Sequence, residues 1–471
     1  MPLSTSPCNL DCPAGTDVRR LLTLTSQGDA AGAWRTILER NPFPGVCGRV
    51  CYRPCEAGCN RAGVDEGLAV QAIERAVAAE AARLNVTSDI VNRAARATGR
   101  RIAVIGSGPA GLSCAFHLAL AGHSPVIFEA ADEPGGMLRY AIPAYRLPRE
   151  ILFDEIDLLK RLGVEIRTSH RFGTDLSWSN VFTFDAVFLA VGNQRPRTLG
   201  IPGEKLRAVR PAIEFLREVN AGGGARVGGR VAVIGGDNAA LDVARIAVRD
   251  GAKVTVIYRR SREEMRAHPD EIAQAEAEGV QFVFQATALR FQGWRGVLKS
   301  VHCQRTRAGA ADATGRSTPE PIAGATFTLS CNDAFIAAGQ DLDRSSLGSV
   351  IEIANGRIKA DRHGRCAKVL VFAGGEAVLG PCSIAEAIGS GRRAAEAIDA
   401  VIRGWAPGLE SASGTRVAQD DLNLASIIHA PRVHLPLLHK SYAVAGYREV
   451  AGPIAWSEAV AEAQRCLQCG A

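Results

Sequence analysis

Several things are missing from this chain. None of its 471 residues fall in a stretch apolar for long enough to cross a bilayer. The start, MPLSTSPCNLDCPAG, has neither a basic segment leading into an apolar core nor an amphipathic Arg-rich presequence, so the expected compartment is the cytoplasm. Basic and aromatic residues do not interleave as base stacking requires, and a formal charge of +6 is mild for this size, which argues against nucleic acid. Histidine is absent from the first 99 residues, which lowers the expectation of zinc there. No acid–base triad is evident either. His117 reads as a packed helix residue, His268 has no clear partner, and His429, His434 and His439 are too loosely spaced for a metal site.

Cysteine, by contrast, is plentiful: 13 residues, six of them between positions 8 and 59 and two closing the chain in RCLQCGA. Disulfides would be the reading for a short secreted chain, whereas clustered thiols in a reducing compartment point to bound metal. CNLDCP supplies Cys8 and Cys12, and CGRVCYRPCEAGC supplies Cys47, Cys51, Cys55 and Cys59 at regular spacing. Close spacing, and proline after Cys12, suit cubane iron–sulfur loops better than zinc knuckles. With Cys466 and Cys469 these make eight thiols, enough for two [4Fe–4S] clusters, although a count assigns no ligand to either. Cys114, Cys303, Cys331 and Cys366 read as packing. Cys382 sits in a loop with no companion cysteine that would make a redox pair.

The chain is too long for one core. Residues 1–99 read as a small helical domain held by its cysteines, with GLAVQAIERAVAAEAARL its clearest amphipathic helix. RIAVIGSGPAGLSCAFHLALAGHSPVIFEA then reads as strand, glycine turn, helix and strand, and RVAVIGGDNAALDVARIAVRDGAKVTVIYRR repeats the unit 129 residues later. Alternating strand-like segments follow, and KVLVFAGGEAVLGPCSIAEAIGSGRRAAEAIDAVI returns to strand, loop and helix. The expected domains are 1–99, a first dinucleotide domain of 100–224 with 335–402, a second inserted at 225–334, and an extension at 403–471.

Gly106, Gly108 and Gly111 form GxGxxG between strand and helix. The first glycine permits the tight turn, the second lets the backbone approach a pyrophosphate, and the third lets helix and strand pack closely. Glu129 ends the next strand, placed to accept ribose hydroxyls, and the flanking PA and GGMLRYAIPAYRLP favour a flavin nucleotide. In the second turn Asp237 replaces the glycine where backbone approach matters, and its carboxylate would repel a pyrophosphate unless paired. Arg259 and Arg260 stand where an NAD-specific site usually shows an acid, and guanidinium forks match a 2′-phosphate, favouring NADPH.

Taken as a set, NPFPGVCGRVCYRPCEAGCNR, VIGSGPAGLSCA, GGMLRYAIPAYRLP, VFLAVGNQRPRTLGIPGE, YRRSREEM and VFAGGEAVLGP closely resemble the small (beta) subunit of bacterial glutamate synthase and its relatives, which include the N-terminal half of dihydropyrimidine dehydrogenase. The resemblance covers nearly the whole chain. It implies an α/β flavoprotein with two dinucleotide-binding domains of the glutathione reductase-like kind, preceded by an α-helical iron–sulfur domain. In that family the cysteines at the N-terminus run continuously. Here the first half of the run looks like EAQRCLQCG at the other end, so the tail is expected to return and complete a cluster.

Carried over residue by residue, the resemblance implies Cys466, Cys469, Cys8 and Cys59 for one cluster and Cys12, Cys51, Cys55 and Glu74 for the other, with Cys47 outside both. It implies FAD contacts at Gly106, Gly108, Gly111, Glu129, Gly136, Arg146, Gly375 and Glu376, the last usually Asp. It implies NADP(H) contacts at Gly235, Asn238, Arg259, Arg260 and Arg266. The chemistry would be flavin-mediated, with no catalytic side chain: hydride exchange between NAD(P)H and FAD, then single electrons through two [4Fe–4S] clusters. No substrate module accompanies these parts, so a larger catalytic oxidoreductase subunit is the expected partner. It would be of glutamate synthase type, or a 2-oxoacid or aromatic-acid oxidoreductase returning electrons to NAD(P)+. A stand-alone diaphorase with a transient acceptor and a non-catalytic redox scaffold are the alternatives.

Overall fold

The computed structural model of the chain describes residues 4–86, 94–224, 226–312, 315–367, 370–408 and 414–470. Its N-terminal part is helical. The helices Val18–Ser26, Ala30–Leu38, Pro44–Val50 and Val70–Arg83 bury Leu21, Trp34, Ile37, Phe43, Val46 and Ile73 against one another. Asp17 and Asp29 cap the first two by accepting the N–H groups of Arg20 and Gly32. Gly48 lets the two helices nearest the thiols approach, since a Cβ there would lie 2.7 Å from the Arg75 backbone.

The C-terminal extension closes this domain. Thr415–Arg416 pairs in parallel with Ser4–Thr5, and the helix Trp456–Gln464 packs on Val18–Ser26 and Val70–Arg83. Arg432 donates to Gly67 O at 2.6 Å and pairs with Glu56.

Each glycine turn opens a parallel five-stranded sheet. The first runs Val371–Ala373, Ala186–Leu189, Arg101–Ile105, Ser124–Phe128, Glu165–Arg167. The second runs Gln281–Val283, Lys253–Ile257, Arg230–Gly235, Asp333–Ala337, Val209–Pro211. Near-continuous apolar runs such as IAVI and VAVI suit strands covered on both faces. An antiparallel three-stranded sheet, Ala286–Trp294, Val297–Ala311 and Ser317–Ser330, is inserted in the second domain.

The late strand Val371–Ala373 pairs with Ala186–Leu189 and the helix Ile384–Ile402 packs on Pro109–Leu120, so the second domain lies between two parts of the first. Its borders differ from the expected 225–334. Val209–Pro211 lies beside Asp333–Ala337 in the second sheet, and the helix Ala212–Glu218 packs on Asn238–Arg249. The crossing points are instead Arg195–Pro196 and Gln340–Asp341, which pair antiparallel where the chain leaves and re-enters. A three-residue edge strand carries too little periodicity to be assigned from sequence.

Among the described residues no helix is long and apolar enough to cross a membrane.

Candidate functional site

Two groups of thiols form in the N-terminal domain. Cys8 lies on the short helix Pro7–Asp11, Cys59 follows the helix Pro54–Ala57, and Cys466 and Cys469 arrive from the tail; all four line one small cavity. Burial pushes the Cys8 thiol up to about 11 and Cys466 to about 12, and neighbouring thiolates add to both shifts. The tail is held from three sides. Arg19 Nη1 donates to Gly470 O at 3.0 Å, and Thr23 Oγ1 to Gln468 Oε1 at 2.9 Å. Arg465, just before the first tail cysteine, pairs with Asp65 at 2.7 Å and with Glu462 at 2.6 Å. Arg61 reaches the same Asp65 at 2.6 Å, and its hydrogen bond, with that of Arg465, holds this carboxyl well below the usual range.

Cys12, Cys51, Cys55 and Glu74 form the second group. Cys12 and Cys51 each end a helix, Cys55 sits in the first turn of Pro54–Ala57, and Glu74 lies on Val70–Arg83. Burial raises the three thiols, Cys51 to about 12, and the charge of Glu74 raises each further. Glu74 is itself pushed up to about 8 by burial, while Asn41 Nδ2 donates to it at 2.9 Å. Cys47 is buried and feels the charges of Glu74 and Cys51 too, so its neighbours do not set it apart from the group.

Every cysteine among the described residues is a free thiol. No three His, Cys, Asp or Glu among them stand close enough to hold a single metal ion. The donor types suit a cluster instead: four thiols lining one cavity, and three thiols with a carboxyl in the other group.

The first glycine turn fits a dinucleotide. Gly106 has φ +103, and a Cβ there would meet Ala190 O at 2.5 Å; one on Gly111 would meet Gly106 O at 2.0 Å. A Cβ on Gly108 would meet nothing within 4 Å, so this backbone faces open space at the start of the helix Pro109–Leu120. Gly136 approaches it, with a Cβ position 2.8 Å from Gly108 Cα, and Gly375 closes a third side near Ala110. Glu129 accepts the Ser107 N–H at 2.8 Å, the Ser107 hydroxyl at 2.6 Å and the Ala131 N–H at 2.8 Å. It therefore ties the turn to the loop behind it, and Oε1 keeps acceptor capacity for a further hydroxyl. Burial raises the Glu376 carboxyl, and the Asp237 charge adds to the shift.

The Arg146 side chain makes its described contacts across to the second domain. Its guanidinium holds Asp242 at 2.9 Å and Glu271 at 2.9 Å, both in the second domain, so its described polar contacts tie the two domains together.

At the second turn, a Cβ on Gly235 would meet Ala337 O at 2.4 Å. Asp237 turns out to be a helix cap. Its carboxylate accepts the Ala240 N–H at 3.0 Å, the use an Asx residue has before a helix, so it takes up one of the N–H groups a pyrophosphate would seek. Asn238 donates through Nδ2 to the Tyr52 hydroxyl at 3.0 Å and accepts the His268 N–H at 3.0 Å. The expected arginine pair separates. Arg260 is 5 % exposed and donates to Ser317 O at 2.7 Å and to Asp312 at 2.9 Å, so it braces the inserted sheet. Arg259 and Arg266 keep exposed side chains, and partial burial together with the charges of Arg260, Arg316 and Arg266 lowers the Arg259 guanidinium. Such a concentration of positive charge suits an anion.

Sequence reasoning missed the Arg61–Asp65–Arg465 network and the contacts of Tyr52 and Arg53. The first joins residues 400 positions apart and leaves no local signal. The second pair lies between two cysteines, where flanking residues could have been suspected of facing a partner site.

Residues 100–394 match the family described as pyridine nucleotide-disulphide oxidoreductase, and residues 3–86 match dihydropyrimidine dehydrogenase domain II, 4Fe-4S cluster. The chain is 36 % identical over 503 residues to the beta subunit of the NADP(+)-dependent formate dehydrogenase of Moorella thermoacetica, an alignment covering 99 % of this chain and 71 % of that one. It is 32 % identical to the small chain of glutamate synthase [NADPH] of Escherichia coli K12, over 83 % of this chain and 87 % of that one. Among solved structures, FprA from Mycobacterium tuberculosis shares the fold with a TM-score of 0.56 at 18 % identity, over 65 % of this chain and 84 % of that chain.

Proposed function

Because the chain belongs to the pyridine nucleotide-disulphide oxidoreductase family and carries a 4Fe-4S domain of the dihydropyrimidine dehydrogenase type ahead of it, we propose that it is the electron-transfer subunit of a larger oxidoreductase complex. When bound, FAD would exchange a hydride with NAD(P)H and two [4Fe–4S] clusters would carry single electrons to or from a partner catalytic chain. Everything else falls to the chain's own side chains, which bind, orient and shelter.

Gly106, Gly108, Gly111, Gly136 and Gly375 leave the backbone room to approach the flavin nucleotide, with Glu129 and Glu376 as acceptors for its hydroxyls. Asn238 would orient the nicotinamide nucleotide, with Arg259 and Arg266 meeting a 2′-phosphate; Arg260 is left as a brace. Arg146 holds the two dinucleotide domains in register through Asp242 and Glu271. Cys8, Cys59, Cys466 and Cys469 would hold one cluster, and Cys12, Cys51, Cys55 and Glu74 the other. The raised thiols mean that binding either cluster must displace protons.

One observation carries the reading: the tail sets Cys466 and Cys469 beside Cys8 and Cys59 around a common cavity. Replacing Cys466 and Cys469 by serine is expected to lower bound iron by about half, with flavin retained. Unchanged iron would sink the assignment.

The match over 99 % of the chain to a formate dehydrogenase beta subunit, against 83 % for the glutamate synthase small chain, favours a partner that oxidises a small substrate and delivers electrons toward NADP+. Anaerobic purification of the tagged chain, with mass identification of whatever is retained, tests this. Recovery of an amidotransferase chain would return the reading to glutamate synthesis, and recovery alone would favour a free-standing diaphorase.

A further inference from the structure

Arg53 joins the second thiol group to the second dinucleotide turn. Its backbone N–H donates to Cys51 Sγ at 3.4 Å. Its guanidinium crosses to the second domain and stands 2.5 Å from Asp270 Oδ2 and 3.0 Å from His268 Nε2. His268 in turn donates its backbone N–H to Asn238 at 3.0 Å, and Asn238 donates to the hydroxyl of Tyr52, the residue before Arg53. The contacts thus close a ring that leaves and re-enters one five-residue loop, Cys51 to Cys55. The Tyr52 and His268 rings add to it, stacked with centroids 6.0 Å apart. A cavity of about 510 Å³ runs alongside, with Cys51, Tyr52, Arg53, His268 and Asp270 in its wall, so these residues bridge a gap rather than fill a core.

The loop backbone is unusual. Arg53 sits at φ 58 and ψ 44, a left-handed conformation that residues with side chains seldom adopt and that persists where surrounding contacts hold it. Its guanidinium contacts and its N–H···S bond are such constraints, and a change in one reaches the other through a single residue.

We propose that Arg53 is a positioning residue that couples occupancy of the second dinucleotide turn to the reduction potential of the cluster at Cys12, Cys51, Cys55 and Glu74. The inference rests on the functional reading above, which places a nucleotide and a cluster at these two sites. A nucleotide phosphate at the Gly235–Asn238 turn accepts from Asn238 Nδ2 in place of the Tyr52 hydroxyl; turning the amide toward it carries Oδ1 away from the His268 N–H, and the His268–Asp270 segment then shifts. Arg53 follows through its guanidinium, and its N–H loosens from Cys51. Hydrogen bonds to cluster sulfurs raise the potential, so losing one lowers it. By linkage the reduced cluster then binds nucleotide more weakly, and the oxidised cluster more tightly.

The test uses the full iron–sulfur flavoprotein and 2′,5′-ADP, which carries the phosphates but no nicotinamide and exchanges no hydride. Its binding is followed by calorimetry, and the cluster potentials by redox titration with electron paramagnetic resonance. A fivefold affinity difference between redox states corresponds to a shift of about 41 mV, at about 59 mV per tenfold for one electron. That downward shift is expected for one cluster, with the other unmoved. Arg53→Gly keeps the left-handed backbone and the N–H while removing the guanidinium, and should cut the shift to less than half with iron retained. Asp270→Asn, outside the cluster loop, should do so in part and serves if the first variant fails to load iron. An equal shift in both variants and the parent, no shift at saturation, or no binding of 2′,5′-ADP overturns the coupling. A parent protein lacking two clusters, or whose flavin NADPH does not reduce, would instead fail the functional reading.

Discussion

Cys12, Cys51, Cys55 and Glu74 come from the first 83 residues, whereas Cys8 and Cys59 share their cavity with Cys466 and Cys469, which arrive from the end of the chain. The local group sits where burial dominates, and it brings together raised thiols and a carboxyl pushed to about 8. The split group lies closer to the surface and depends on docked tail side chains, chiefly the Arg465–Asp65–Arg61 network. One group of thiols is thus brought together by folding of the domain, and the other by docking of a segment.

The most damaging way to test that contrast is Cys51→Ser with Cys55→Ser. Because metal binding and folding are linked where ligands come from core helices, this pair should lose one cluster and also lower the unfolding temperature of the N-terminal domain. The tail pair Cys466→Ser with Cys469→Ser should lose the other cluster with the domain still folded. Iron analysis alongside calorimetry of the same samples separates the two. Equal thermal losses would erase the distinction.

Next in size is Asp65→Asn, which leaves Arg61 and Arg465 with a neutral partner. Removing one member of a buried charge network costs about 3–5 kcal/mol, here expected at the lower end because Asp65 is partly exposed. Acid should mimic it. The Asp65 carboxyl is lowered in the folded chain, so its contribution is present above about pH 4 and is lost as pH falls below that. Glu74 behaves oppositely in the iron-free chain: its carboxyl is raised to about 8, so stability is greatest below about pH 4 and declines as pH rises toward 8. Hydrogen-exchange protection factors for the iron-free chain should therefore fall first in the tail on acidification and first around Glu74 on alkalinisation.

How much of this could be read from residues alone depended on how local the determinant was. The first glycine turn was legible because its three glycines fall within six positions between a strand and a helix, although only Gly111 answers a neighbour inside the turn and the contact that demands Gly106, Ala190 O, lies 84 positions on. That the tail should dock on the N-terminal domain came from the family resemblance, because a CxxC without neighbours does not by itself say where its partners lie. What Asp237 does in place of meeting a phosphate was not legible, since its bond to the Ala240 N–H shows only once the helix start is folded. The fate of Arg260 depends on Asp312 and Ser317, more than fifty positions away in the inserted sheet, and no spacing near the arginine announces them. The edge strand Val209–Pro211 was missed because its neighbour Asp333–Ala337 lies more than 120 positions away in the chain, at the far end of the second domain.

The two arginines allow the contrast between local and distant determinants to be repeated on a smaller scale. Arg259→Ala should raise KM for NADPH about tenfold while leaving KM for NADH within about twofold, the signature of a lost 2′-phosphate contact. Arg260→Ala should leave the ratio of the two constants unchanged and act instead on stability, because its partners are Ser317 and Asp312. Steady-state kinetics with both nucleotides, beside thermal unfolding, distinguishes the roles.

The smallest effect is expected at Cys47. It is as close to the local group as its regular spacing suggests, 2 % exposed and within reach of the charges of Glu74 and Cys51. If Glu74 completes that group, Cys47 acts only as a small buried hydrophobe, and Cys47→Ala should leave iron unchanged at a cost of about 1 kcal/mol. Glu74→Ala should then lose iron from one cluster. If the fourth ligand is instead the sulfur, the two outcomes exchange places: Cys47→Ala loses iron, and Glu74→Ala, which also relieves a buried carboxyl raised to about 8, keeps it. Iron analysis of this pair of variants therefore decides whether the local group is held by four thiolates or by three and a carboxylate, and with it whether the two centres differ in ligand chemistry as well as in assembly.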